Sequence, residues 1–493
     1  LNPVLEALNT AAASPVGHRG INLSQAYTLK MRVHNETQLG VTSANSTSYG
    51  DPGKTRTLVY NTNVTHPRGY INVVDNSNQV DPTGILGIGD LLSYRNSTSA
   101  DPPRVAMQIG QTKHLIQTKK SHKMLIGSGA NRTLPYLLSG QFVFKAAKDG
   151  IVKTYDPETN CQVLEYDDGT ISAIDLNERF VKNSSSGFYL SQTYAPLYKV
   201  GERFKKGDIL AHVPQFFTGR GSDCEYKPGY LARVAMGSGD FCFEDSTIIT
   251  DDLAEDLATN ITIMKDVAIG KNANILTLLP KGSPVKAGDV WLSYIPSYDD
   301  PDTNETIAAM MAQMDPDEVD DFIAKKYESR YTGRIADIKI YFNKDIEEYS
   351  PSIQKLLRDY IESVEKRKRL LKQSGVKNIH IPPVEKTREN KVAGTEFPIE
   401  GGIIIQCFIE YEDILGPGSK VSFTTALKGV LSSVMDREEA PIPEYRPEDH
   451  IQAIIASTGI LGRLTLDIFY IMGGNSVLIE LGKQIKEIYN GDR

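Results

Sequence analysis

Apolar and polar residues follow the pattern of β-strands through much of the middle of the chain. Over residues 140–300 the spacing approaches two, as in residues 141–145 and 208–213. A period of two places alternate side chains on opposite faces of a strand, so this segment is predicted to be mostly strands. Residues 401–430 return to the same pattern.

Two stretches of this region, residues 200–210 and 281–292, are similar in sequence, and residues 415–421 are more weakly similar to both. In the first two, an apolar and a basic residue precede Gly-Asp and then an apolar run. Glycine followed by a short polar residue is typical of tight turns. We predict hairpin turns between barrel or sandwich strands at these places.

Helical spacing of apolar residues predicts three helical segments, over residues 305–328, 352–373 and 460–489. The second has a densely charged polar face. Residues 374–398, with their prolines and charges, are predicted to form a loop or linker. Residues 1–110 are rich in Asn, Ser, Thr and Gly, which predicts irregular β structure with a few short helices.

The predicted fold class is therefore α+β and β-rich, with strands before and after an inserted, partly helical segment that can belong to one barrel. The predicted parts are a mixed, irregular region, a β-rich part, a helical insertion, and a second strand region with a C-terminal helix. They span residues 1–139, 140–300, 301–398 and 399–493.

Composition narrows the class of protein. The chain has 493 residues, of which 40% are hydrophobic and 24% charged, which is typical of a globular protein of about three domains. Apolar runs fall far short of the ~20 residues of a membrane helix, so no membrane contact is predicted. The first residues do not have the pattern of a secretion signal, which favours the cytoplasm. The cysteines Cys161, Cys224, Cys242 and Cys407 form no C-x-x-C pair, so we expect reduced, buried thiols.

The net charge of −8 argues weakly against non-specific coating of nucleic acid. Basic clusters nevertheless occur at residues 113–123 and 365–372, either of which can simply be a solvated face. The chain lacks a G-x-x-x-x-G-K-S/T loop, an H-E-x-x-H motif and a nucleophile elbow, so those enzyme classes are not indicated.

The adjacent acids Glu244 and Asp245 follow a Gly-rich turn and two phenylalanines, Phe241 and Phe243. An adjacent acid pair is usually a surface feature. Here the aromatic neighbours, together with Ile248 and Ile249, predict that the pair lies against a buried wall, where an acid needs a cation or a metal.

Three basic residues could bind phosphate. Lys420 and Lys428 stand on either side of a strand and turn, and could line one groove as point charges, although single lysines are usually solvated. Arg463 follows a Gly-rich turn and could either present its fork to a triphosphate or cap nearby carbonyl groups.

These fragments are similar, in the same order, to stretches of one protein family. Residues 239–246 (GDFCFEDS) resemble its G-Y-N-F-E-D-S/A, and residues 418–420 with 428–430 keep both lysines of its G-D-K-M-A-G-R-H-G-N-K-G-V. Residues 435–441 (MDREEAP) resemble the acidic stretch that follows, and residues 457–463 its N-P-L-G-V-P-S-R.

Upstream, residues 99–108 resemble its D-D-A-N-R-A-L-M-G and residues 127–129 its G-T-G. The family is the β-type large subunit of multisubunit DNA-dependent RNA polymerase. The chain resembles the C-terminal part of a split subunit, as in the polymerases of giant bacteriophages.

The resemblance implies a double-psi β-barrel, sandwich/barrel-hybrid strands, a reduced flap within 330–395 and a fork-like region at the N-terminus. It implies that Lys420 and Lys428 contact the RNA 3′ end and the nucleotide phosphates, and that Arg463 and Arg104 contact the triphosphate. Asp245, with Glu244 beside it, would help to hold a second Mg²⁺ through water. Lys113 and His114 would contact RNA or the RNA–DNA hybrid.

The function implied is template-directed ribonucleotide transfer, as a nucleotidyltransferase that is inactive alone. The implied partners are a β′-like subunit that holds the primary Mg²⁺, the N-terminal half of the split subunit, and a possible promoter-recognition subunit. DNA template, nascent RNA and NTPs complete the complex, in the cytoplasm of an infected bacterial cell if the chain is phage-encoded. The alternatives are a phage structural or assembly protein and a non-catalytic polymerase scaffold.

Overall fold

The computed structural model divides the chain into two compact units. Unit 1 comprises Leu1–Ala147, Lys205–Thr259 and Ile414–Arg493, and unit 2 comprises Lys148–Phe204 and Asn260–Asp413. Each unit is therefore built from segments that are distant in sequence. The structure describes residues 2–13, 16–17, 20–22, 24, 33, 38, 40–43, 53–62, 85–92, 102–138, 140–182, 187–296, 323–376, 385–423, 427–444, 446–463 and 465–491.

The helices of the described residues are numbered α1 to α8 in chain order. None of them is both long enough and apolar enough to cross a membrane. They span Pro3–Thr10, Ile88–Leu91, Pro102–Lys113, Ala130–Leu137, Asp251–Asp256, Pro351–Gln373, Ser457–Arg463 and Asp467–Gly491.

The strands, numbered β1 to β26, are distributed over several sheets. They span Val143–Lys145, Gly150–Asp156, Cys161–Tyr166, Ile171–Asp175, Arg179–Lys182, Tyr189–Gln192, Ala195–Pro196, Arg203–Phe204, Ile209–His212, Phe217–Thr218, Glu225–Tyr226, Val234–Met236, Ser246–Thr250, Thr259–Gly270, Asn274–Leu278, Pro284–Val285, Val290–Ile295, Lys325–Glu328, Gly333–Phe342, Glu385–Lys386, Lys391–Val392, Thr395–Glu396, Gly402–Asp413, Lys420–Phe423, Leu427–Met435 and Ala453–Ile455. The predicted α+β, strand-rich class is confirmed, and no sheet closes into a barrel within the described ranges.

A five-stranded sheet forms the centre of unit 1, in the order β12-β26-β13-β25-β24. The pairs β12–β26 and β13–β25 are parallel, whereas β26–β13 and β25–β24 are antiparallel. The strands on either side of the long insertion thus meet in one sheet, which agrees with the prediction that they belong together, although this sheet does not close into a barrel within the described residues.

One face of this sheet is buried. Strand β25 shows the alternation: Leu427, Gly429 and Leu431 are buried, while Lys428 and Val430 between them are exposed. Two apolar clusters lie on the buried face. The first cluster joins α5 to β13, β25 and β26 and consists of Ile249, Leu253, Ala254, Leu431 and Ala453. The second cluster joins α7 and α8 to the same face of the sheet and consists of Leu427, Ile455, Ile460 and Ile468.

Unit 2 is organised around the long antiparallel pair β19–β23, within a seven-stranded sheet that also includes β16, β14, β6, β5 and β20. Helix α6 packs on its core through Ile353 and Leu357. Farther along α6, Leu371 reaches a second cluster with Cys161 and Val163 of β3.

The predicted helix over residues 352–373 is confirmed as α6. The Ser350 side chain accepts a hydrogen bond from the Ile353 N–H, and Pro351 stands at the first helical position, where its missing N–H costs nothing. Residues 460–489 are also helical, apart from a break before α8. In the predicted helix over 305–328, residues 325–328 form strand β18 instead, and residues 305–322 lie outside the described residues.

The predicted turns exist, but the hairpins were wrong. Gly207, Gly288 and Gly418 have φ of 89°, 93° and 89°, a conformation that glycine adopts without steric cost. The Asp289 N–H donates to the Lys286 carbonyl at 3.1 Å and closes the turn. The flanking strands β16 and β17 belong to different sheets, as do β8 and β9, because each pairs with a distant segment.

The N-terminal region shows short helices, α1 and α2, and isolated bridges such as Ala12 with Thr57 in its described residues. These described residues agree with the prediction for residues 1–110, much of which lies outside the described ranges, and α3, which begins at Pro102, is a longer helix of 12 residues. All of the cysteines are free and buried, as predicted.

Candidate functional site

The candidate residues gather at one end of the five-stranded sheet. Met236, at the end of β12, pairs with Ile455, at the end of β26, and Ile455 pairs with Thr247 near the start of β13. Ser246 in turn pairs with Val430 of β25. This end therefore carries residues 237–245, which lead into β13, and helix α7, which follows β26.

Asp245 and Arg463 form a two-pronged ion pair. Arg463 Nη1 donates to Asp245 Oδ1 at 2.5 Å, and Nη2 donates to Oδ2 at 2.7 Å. The hydrogen bonds from Arg463 hold the pKa of the Asp245 carboxyl below its usual value. The side chains are 37% (Arg463) and 46% (Asp245) exposed, so ligands can reach both partners.

Gly459, one turn earlier in α7, makes room for this pair. A Cβ at residue 459 would lie 3.2 Å from Arg463 Nη1 and 3.5 Å from Asp245 Oδ1. It would also lie 3.3 Å from the carbonyl oxygen of Glu244. Because 3.2 Å is closer than most Cβ atoms approach a neighbour, a side chain at residue 459 would require the Arg463 guanidinium and the Glu244 carbonyl to shift by a few tenths of an ångström.

Lys420 and Lys428 lie on the same face of the sheet. Lys420 is opposite Val430, and Ser422 is opposite Lys428, so the lysines are diagonal neighbours on β24 and β25. Both are exposed. Diagonal neighbours stand roughly 7–8 Å apart, which is within reach of two phosphates of one chain.

Asp245 lies at the end of the sheet, in the turn that leads into β13, and the two lysines lie on the exposed face of the sheet. Thr247 lies on the buried face, because a Cβ at Gly429 would be 2.3 Å from its Oγ1. Asp245 lies in the turn before β13, where the alternation of a strand does not apply, whereas Lys428 and Lys420 lie on the exposed side. The Val430 N–H donates to the Asp245 carbonyl at 2.9 Å and connects this turn to β25 through the backbone.

Residues 237–245 correct the prediction of a buried wall. Phe241 and Phe243 are 71% and 67% exposed, and only Cys242 between them is buried. Phe241 and Glu244 have φ of 64° and 54°. Residues with side chains adopt this region at a cost of roughly 1–3 kcal/mol, and it interrupts the strand-like alternation on which the prediction relied.

The C-terminal end of α3 carries further candidates. Asn2 Nδ2 donates to the carbonyls of Thr112 and Leu115 at 3.0 and 2.9 Å and so fixes this end. Burial lowers the pKa of the half-buried Lys113, whereas His114 is exposed.

Helix α3 also contacts the exposed face of the sheet that carries Lys420 and Lys428, which we call the lysine face. Ser422 Oγ donates to Gln111 Oε1 at 3.0 Å. The contact places the helix that carries Lys113 beside β24. Arg104 is on α3 as well, but its side chain lies outside the described part of the chain.

The acids fit a metal only in part. Among the described residues, no group of three or more His, Cys, Asp or Glu is placed to hold a metal ion. Both carboxylate oxygens of Asp245 are bound to Arg463, and Glu244 is exposed beside it. Mg²⁺ is commonly held by one or two carboxylates together with substrate phosphates, and these residues fit that incomplete kind of site.

Sequence reasoning missed several residues that shape the site. Gln111 and Ser422 have no distinguishing motif, and Gly459 stands out only as part of the Gly-rich turn before Arg463. Their roles appear only when β24, α3 and α7 meet. No protein-family model matches this chain, and no curated protein sequence matches it significantly. The candidate site therefore stands on its geometry and on the resemblance of its motifs.

Proposed function

We propose that this chain is a β-type subunit of a DNA-dependent RNA polymerase that forms an active centre with a β′-like partner. The observation that carries the proposal is the end of the five-stranded sheet. It brings Asp245 against Arg463 and places Lys420 beside Lys428, the residues that the motifs single out. The finer assignment, in which this sheet is the core of a double-psi barrel, is part of the same proposal.

The lysine face would bind phosphates. Two exposed ammonium groups on one face act as point charges that replace the counterions of a nucleic-acid strand. Lys420 would contact the RNA 3′ end and Lys428 the phosphates of the incoming nucleotide. Lys113 and His114, on the helix attached to β24, would extend this surface along the RNA–DNA hybrid.

The Asp245–Arg463 pair would exchange partners when Mg²⁺ and a triphosphate bind together. The Arg463 fork matches two phosphate oxygens as well as it matches a carboxylate. Released from Arg463, Asp245 would face the metal, with Glu244 beside it and Arg104 adding charge to the triphosphate. When bound, Mg²⁺ would neutralise part of the negative charge of the phosphates.

The reaction is a phosphoryl transfer. The 3′ hydroxyl oxygen of the RNA bonds to the α-phosphorus, its proton passes to solvent, and the bond to the β-phosphate oxygen breaks to release pyrophosphate. The residues described above act by positioning and charge, without a covalent protein intermediate.

The proposal assigns the rest of the machinery to partners. The primary Mg²⁺ would be held by the β′-like subunit, and the N-terminal half of the split subunit and a promoter-recognition subunit would complete the complex. The chain alone would be inactive. Its proposed location is the cytoplasm of an infected bacterial cell if a phage encodes it.

The test is to purify the tagged full-length chain with its partners from its native producing cells and to measure Mg²⁺-dependent RNA synthesis on DNA. The variants are Asp245→Asn and the matched control Asp240→Asn, an exposed acid of the same loop. We expect Asp245→Asn to reduce synthesis at least about tenfold, because it removes the charge that faces Mg²⁺, and Asp240→Asn to leave it unchanged.

Two results would contradict the proposal. Synthesis that survives Asp245→Asn in full would indicate a scaffold subunit. A wild-type chain that purifies alone or as a self-assembly, without synthesis, would indicate a structural or assembly protein.

A further inference from the structure

The loop of residues 237–245 exposes two aromatic rings, those of Phe241 and Phe243, to which the proposed reaction assigns no role. Phe241 and Phe243 are 71% and 67% exposed, and Cys242 between them is 2% exposed. The buried thiol lies 3.6 Å from the Gly237 carbonyl oxygen and anchors the middle of the loop. The rings on either side of it therefore point outward.

The loop is held in one shape. Ser246 Oγ accepts a hydrogen bond from the Phe243 N–H at 2.6 Å, and the Cys242 N–H donates to the Gly239 carbonyl at 3.1 Å. Phe241 keeps a left-handed φ of 64°. Rings held on such a loop lose little conformational freedom when they bind a flat ligand.

The strand that carries Lys428 holds this loop. Ser432 Oγ donates to the Phe241 carbonyl, and Ser432 lies four residues after Lys428 on β25, or about 13 Å along the strand. Exposed rings and exposed lysines on connected elements are the combination that binds single-stranded nucleic acid, in which bases stack and phosphates meet cations. An apolar protein partner would account for the rings but not for the lysines.

The spacing of the rings suits nucleobases. The α-carbons of Phe241 and Phe243 are two residues apart and therefore at most about 7 Å from each other. Successive bases of one strand rise about 3.4 Å. This upper limit is about twice the rise between bases, so the two residues lie close enough to contact neighbouring bases of one strand.

We propose that Phe241 and Phe243 form a stacking platform for unpaired nucleobases of the strand whose phosphates the lysine face binds. This inference rests on the proposed function and adds the recognition of bases, which neither Lys428 nor the Asp245–Arg463 pair provides. It requires no contact with the reacting atoms.

The test uses the purified complex with the full-length chain and a scaffold of template DNA and RNA primer. A 2-aminopurine base is placed in turn at each unpaired position, and affinity and fluorescence quenching are measured. The variants are Phe241→Ala, Phe243→Ala, the two leucine variants as apolar controls and the two tyrosine variants as rescues. An abasic strand of equal length reports phosphate binding alone.

We expect each alanine variant to weaken binding about 5- to 150-fold and to abolish quenching at one position, because stacking is lost. Tyrosine should restore quenching and leucine should not. Binding of the abasic strand should be the same for the wild type and for every Phe variant. These exposed residues leave the fold intact, which thermal unfolding of each variant checks.

Three results would overturn the inference. Unchanged affinity and quenching in the Phe variants, with weaker binding in Lys428→Ala, would leave the proposed function standing without the platform. Loss of partner subunits, with normal binding by the complex that remains, would make the rings a protein contact. Failure of the wild-type complex to bind nucleic acid would remove the proposed function as well.

Discussion

At the scale of single residues, local backbone conformation decides what a side chain can do. Phe241 and Glu244 stand in a stretch that looks like an alternating strand, yet their left-handed φ values turn it into a loop. A pattern of apolar residues does not reveal such a conformation, because non-glycine residues rarely adopt it. The predicted burial of Phe241 and Phe243 failed for this reason.

A buried histidine gives unit 1 a predictable dependence on pH. His212 of β9 is 4% exposed, and burial lowers its pKa from 6.5 to about 4. Between these pH values the unfolded chain binds a proton that the folded chain does not. The stabilisation that neutral His212 provides is therefore complete above pH 6.5. It is lost as the pH falls towards 4, and the loss in the free energy of unfolding is about 3 kcal/mol in total.

The measurement is urea unfolding of the wild type and of His212→Gln at pH 7.5 and pH 4.5. We expect the free energy of unfolding to fall less between these pH values in the variant, because glutamine does not titrate. An identical fall in both proteins would show that His212 is protonated in the folded state.

At the scale of elements, helix α7 has two roles: it packs on the buried face of the sheet, and it positions Arg463. Ile460 packs on Leu427 and Ile455, which fixes the helix on the buried face. Arg463, three residues later, then reaches Asp245. The sequence indicated both a helix near Arg463 and an acid at Asp245, but not their contact, because 218 positions separate them.

The two glycines of α7 separate helix stability from the geometry of the site. We expect Gly462→Ala to raise the free energy of unfolding by about 0.5–1 kcal/mol and to leave nucleotide addition unchanged, since nothing lies within 4 Å of the added Cβ. Gly459→Ala gains the same helix propensity, but its Cβ would push on Arg463 Nη1 at 3.2 Å and on the Glu244 carbonyl at 3.3 Å, and so shift the ion pair. It should lower kcat/KM about tenfold.

Steady-state nucleotide addition by the two purified complexes, with urea unfolding of each chain, provides the comparison. Equal kcat/KM values for the two variants would mean that the close approach at Gly459 has no role in the site.

At the scale of the whole molecule, the limit of sequence reasoning is non-local pairing. Helix α6 and the strand-rich centre were predictable, since apolar spacing is a local signal. The five-stranded sheet draws its strands from residues 234–250 and 420–455, and their order depends on contacts that no local pattern contains. Lys420 and Lys428 were recognisable as a pair, whereas the face that they share follows only from the register of β24 and β25.

The proposed active centre is tested most directly by single-nucleotide addition by the purified complex, in which Lys428→Ala is compared with Lys486→Ala, a change at an exposed lysine of α8. We expect Lys428→Ala to slow addition at least about tenfold and to raise the nucleotide concentration required, because the positive charge that contacts the phosphates is lost, while Lys486→Ala matches the wild type. Equal rates for the wild type and both variants would contradict the placement of the lysine face at the active centre.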